Sequence, residues 1–88
     1  MAYKHGWREP IPDATVLDLF VIYDRPTDSP GAFVVRRWFV VKGRLDSVPG
    51  EMKDSSRTLQ EARKHVPPGR HRMDRHPDDD PKIIETWW

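Results

Sequence analysis

Two apolar runs dominate this chain, and the two-residue period of an extended strand divides each between two faces. In the first, Leu17, Leu19, Val21 and Tyr23 fall on one face, and Val16, Asp18, Phe20, Ile22 and Asp24 on the other. This predicts a strand that begins at Thr15 or Val16. The second run, Ala32 to Val41, is apolar on both faces. Phe33, Val35, Arg37, Phe39 and Val41 share one side, and Val34, Arg36, Trp38 and Val40 share the other. Alternation therefore sends its two adjacent arginines to opposite faces. Two arrangements accommodate them: a bulge that turns both outward, or a sheet covered on both sides.

The intervening segment, residues 24–31, is rich in turn formers and too long for a two-residue hairpin turn, so it predicts a flexible loop. Residues 43–57 read as a polar loop with Pro49 and Gly50 as its turn signal. Thr58 and Glu61 then stand at capping-box spacing, and Leu59, Ala62 and Val66 recur at helical spacing. Pro67, Pro68 and Gly69 end the pattern, which predicts a helix over residues 59–66. Residues 70–76 contain a single apolar side chain, Met73, and read as an irregular edge strand. Residues 82–88 are strand-like by composition, and burying Trp87 and Trp88 favours pairing with one of the first two strands.

The expected fold is thus α+β, with order β-β-α-(β)-β. One short helix packs on a small, mainly antiparallel sheet of three to four strands. Residues 1–14, with Pro10, Pro12 and the apolar Tyr3 and Trp7, form an extended N-terminal arm, and residues 15–88 form a single domain. At 88 residues the core is thin. The chain holds no cysteine, which excludes a disulfide framework and thiolate zinc ligation. Its apolar runs are too short to cross a bilayer, and it opens without a secretory pattern, so the expectation is a soluble cytoplasmic protein with no membrane partner.

The net charge of +1 conceals blocks. Residues 57–77 carry six basic and two acidic groups, and residues 78–88 carry one and four. The basic strip Arg57, Arg63, Lys64, Arg70, Arg72 and Arg75 suggests a track for phosphates, which makes nucleic acid the alternative partner. The modest charge excess and the absence of a nucleic-acid motif weigh against that reading. His65, His71 and His76 lie near Asp74, Asp78, Asp79 and Asp80, but without the close pairing that zinc requires, so no metal site and no cofactor are expected. No nucleophile motif or phosphate loop occurs, and the chain does not read as an enzyme.

What remains is an excess of apolar surface. One short helix covers one sheet face, yet Phe33, Val34, Trp38, Phe39, Ile84, Trp87 and Trp88 all need cover. Either the arm supplies it or a partner does. The reading is a small non-catalytic module acting through protein contacts, with a protein or a second copy of the chain as partner. Its candidate surface is Arg36, Arg37, Trp38, Trp87 and Trp88.

Overall fold

The computed structural model describes residues 7–26 and 30–88. Their elements are β1 (Thr15–Tyr23), β2 (Phe33–Val41), β3 (Val48–Ser56), α1 (Leu59–Arg63), β4 (Arg72–Asp74) and β5 (Ile83–Trp87). They form one antiparallel sheet in the order β3-β2-β1-β5-β4, with α1 on one side. The architecture is α+β as expected, with five strands in place of three to four.

The additional strand is β3, which occupies the segment that reads as a loop. Proline lacks an amide donor and is tolerated at the edge of a sheet, where one side of the strand needs no ladder. Pro49 sits opposite Trp38 next to a register irregularity. Gly50 is there for space. A Cβ at this position would lie 2.7 Å from the Phe39 ring and 3.1 Å from the Arg37 carbonyl oxygen.

The capping box forms with one change. Thr58 Oγ accepts from the Glu61 amide at 3.1 Å, while the Glu61 carboxylate reaches past Thr58 to accept from the Arg57 amide at 3.0 Å. The helix is shorter than the sequence pattern suggests. After Arg63 the chain tightens, with His65 N–H donating to Ala62 O and Val66 N–H to Arg63 O. Pro67 disfavours helical geometry in the residue before it, and the tighter turns still deliver Val66 to the core.

Ala62 and Val66 pack with Phe20, Ile22, Val35 and Trp7, and Phe33, Leu59, Ile84 and Trp87 border this cluster. The side of the sheet facing α1 is therefore closed by the helix and by the arm together. Trp7 is fully buried, its ring 5.2 Å from that of Phe20, and its indole N–H donates to His65 O at 2.6 Å. Glu51 fastens the arm to β3 by accepting from the amides of Arg8 and Glu9. Tyr3, the arm's other large apolar residue, lies outside the described residues, as does the middle of the expected loop at 27–29. Among the described residues no helix is long and apolar enough to cross a membrane.

Candidate interaction face

The β1–β2 register runs without interruption from Leu17 opposite Val40 to Tyr23 opposite Val34. No bulge separates the arginines on this side, so Arg36 and Arg37 keep opposite faces. The structure follows neither of the two arrangements proposed for them. It buries one arginine and leaves the other on an open face.

Arg37 enters the closed side and is 2 % exposed. Asp18, on the same face of β1, accepts from Arg37 Nη2 at 2.6 Å. Arg70, beyond the helix, adds bonds to both carboxylate oxygens of Asp18 and to its backbone carbonyl. The Arg37 guanidinium also stands over the Phe20 and Phe39 rings at 5.3 and 5.1 Å. Burial raises the pKa of Asp18, but hydrogen bonds from Arg70 and Arg37, reinforced by their charges, more than offset it and hold the carboxyl below 3.8. Glu85 on β5 repeats this pattern. It is 3 % exposed, receives Arg63 at 2.7 and 3.0 Å and the Trp87 indole at 3.0 Å, and lies below its ordinary 4.5 despite burial.

Arg36 stands on the other side. There the register assembles a row across all five strands: Met52, Arg36, Val21, Thr86 and Met73. Trp38 beside Leu19, and Val34 beside Tyr23, extend the face in both directions. Among the described residues no helix or strand lies over it. Arg36 packs against the Trp38 ring at 5.5 Å, and the Trp38 indole donates to the Tyr23 hydroxyl at 3.2 Å. Val34 and Val21 are buried between these larger side chains, while Met52, Met73 and Leu17 are exposed. Burial pushes the Tyr23 phenol above its ordinary value, with Asp80 and Asp79 adding to the rise against the Trp38 bond and the Arg36 charge. Tyr23 is therefore a neutral phenol at pH 7.

At one end of this face the chain encloses a depression of about 350 Å³ lined by Tyr23, Pro26, Val34, Arg36, Met52, Asp80 and Lys82. Its rim is the turn before β5. There Asp79 accepts from the His76 amide, Asp80 from the Lys82 amide, and Arg75 donates to the carbonyls of both aspartates. The three consecutive aspartates thus build a turn, and among the described residues no group of three or more histidine or acidic side chains could hold a metal.

The remaining residues singled out from the sequence are dispersed. Trp87 borders the closed core, whereas Trp88 is exposed with its ring 5.1 Å from His71. In the basic strip, Arg63 and Arg70 are held by Glu85 and Asp18, and Arg75 by its own turn. Arg72 lies 3.7 Å from Asp74 at the surface, and Arg57 and Lys64 are exposed. Sequence reasoning missed Tyr23, Met52 and Lys82 as companions of Arg36. Tyr23 was within reach, since it shares a face with Leu19 and Val21 in a hairpin whose partner carries Arg36 and Trp38. No protein-family model matches the chain, and no curated protein or solved structure matches it either.

Proposed function

We propose that this protein is a non-catalytic interaction module that docks a protein partner on the open face of its sheet. The observation that carries this reading is the allocation of cover. Helix and arm both go to one side, and the other side presents Trp38, Tyr23, Leu19 and Met52 with no helix or strand of the described residues above them. Aromatic, methionine and arginine side chains gathered on one face are the composition of interface centres. The tyrosine in the depression stays protonated at neutral pH, which suits contact rather than proton abstraction.

The basic strip supports the nucleic-acid alternative less well, because Arg63 and Arg70 already face carboxylates. The discriminating experiment compares partner capture by the wild-type protein, a Leu19→Asp/Trp38→Ala variant and an Arg57→Ala/Arg72→Ala/Arg75→Ala variant. Loss confined to the open-face variant supports the proposal. Equal capture by all three overturns it, as does a salt-sensitive gel shift with single- or double-stranded probes that only the strip variant abolishes. Sedimentation across a concentration range separates a second copy of the chain from a different partner.

A further inference from the structure

Arg36, Arg37, Arg63 and Arg70 are treated unequally. Arg37 and Arg70 share the Asp18 carboxylate, and Arg63 holds Glu85. Arg36 has the Trp38 ring beside it, but among the described residues no carboxylate lies within ion-pair reach. Its Nε is sealed from water and meets no hydrogen-bond acceptor. That donor is out of a ligand's reach, but the two Nη groups of Arg36 are not sealed, and an incoming acceptor would meet the guanidinium charge there. The guanidinium borders the depression, where Lys82 adds a second cation and Val34, Met52 and Pro26 supply apolar wall.

We propose that the depression receives an aspartate or glutamate side chain of a partner protein, flanked in the partner's sequence by an apolar residue. The inference rests on the open face being a docking surface and names what that surface selects. A guanidinium held against an indole is oriented for charge-assisted pairing with a planar carboxylate. A polyphosphate chain fits less well, because Asp80 lines the same depression and Asp79 adjoins it. The Trp38 ring is also engaged by Arg36, which competes with base stacking.

The test pans a random 12-residue peptide library against the immobilised full chain and maps the enriched peptides by amide chemical shifts. The expected result is enrichment of Asp or Glu next to an apolar residue, with shifts centred on Tyr23, Val34, Arg36 and Met52. For such a peptide, Arg36→Gln and replacement of the peptide's acid by its amide each weaken binding roughly tenfold to a hundredfold. The two changes together cost little more than either alone, the signature of a direct pair. Lys82→Gln provides a second, milder variant if Arg36→Gln perturbs the spectrum. Peptides that bind the open face without acidic preference, or equally to Arg36→Gln, overturn the carboxylate inference and leave the docking face standing. Failure to recover any peptide that maps to this face overturns both, and displacement of the shifts by an oligonucleotide at low salt replaces the carboxylate with phosphate.

Discussion

Arg36 and Arg37 are adjacent in the chain and identical in chemistry, yet the fold places them in different environments. Arg37 lies between two phenyl rings with a carboxylate at 2.6 Å, on a side closed by helix and arm. Arg36 rests on an indole at the edge of a depression, on a side that no helix or strand of the described residues covers. The difference is one of supply. Asp18 alternates with Phe20 and Ile22 on the closed face of β1, whereas Leu19, Val21 and Tyr23 offer Arg36 no anion. Burying a guanidinium is tolerable where a carboxylate stands against it, as Asp18 does against Arg37. The lesson is that a charge in an apolar strand is a structural part or a recognition element according to what the neighbouring strand presents at its register.

The contrast breaks most completely if the closed side loses its cover. Trp7→Ala removes the arm's anchor from a core that also holds Phe20 and Ile22, and is expected to cost about 3–5 kcal/mol in urea unfolding. That value depends on Trp7 being packed rather than draped. A loss below about 1 kcal/mol means that the arm does not seal this face. Next in size is Asp18→Asn, which leaves Arg37 buried without its counter-charge and is expected to cost about 3 kcal/mol.

The same carboxylates give the closed side a pH signature. Asp18, Glu51 and Glu85 all have folded-state values below the ordinary 3.8, 4.5 and 4.5, so the unfolded chain binds protons more readily. Their contribution is complete above the unfolded values and is lost as pH falls through the folded ones. Stability is expected to be level from neutrality to about pH 5 and to decline below about pH 4. Asp18→Asn should shallow that decline. A decline just as steep in the variant would assign the acid sensitivity to other groups.

The two sides were also unequally legible. Strands β1, β2 and β5 announce themselves as short runs rich in β-branched and aromatic residues, and the capping residues fix the start of α1. What stayed hidden depended on contacts between segments distant in the chain. The edge strand β3 carries a Pro–Gly pair and scattered charges, and its place is set by backbone pairing with β2 and by the close approach of Gly50 to Phe39. The side taken by Trp7 depends on where the fold brings the His65 carbonyl that its indole meets. The pairing of Asp18 with Arg37 did have a signal. Asp18 shares a face with Phe20 and Arg37 with Phe33 and Phe39, and hairpin register brings the two charges together. On the open side, alternation correctly groups Arg36 with Trp38 and places Leu19 and Tyr23 on one face, but the loop residues Asp80 and Lys82 arrive by a turn that periodicity does not describe.

Gly50 sharpens the comparison at the seam between β3 and β2. Its missing Cβ admits the Phe39 ring that helps enclose Arg37, so Gly50→Ala forces a side chain into contacts of 2.7 and 3.1 Å. The expected cost is about 1–3 kcal/mol, read from the unfolding midpoint. The closest contact is with the ring, so Phe39→Leu should reduce that penalty in the double variant. Strict additivity would mean that the Arg37 carbonyl or the Glu9 carboxylate, each 3.1 Å away, sets the limit instead.

The smallest expected effect bears most directly on function. Arg36→Gln removes a cation that has no carboxylate partner among the described residues and an Nε that has no acceptor. Deleting such a group forfeits its packing on Trp38 but also relieves an unmet hydrogen bond, so the two effects oppose each other. The folded state should change by no more than about 0.5 kcal/mol, set against several for the buried network one residue away. A loss approaching that of Asp18→Asn would show that Arg36 is a structural ion like its neighbour. A near-zero change leaves its placement beside the depression without a structural reason, as the proposed docking role requires.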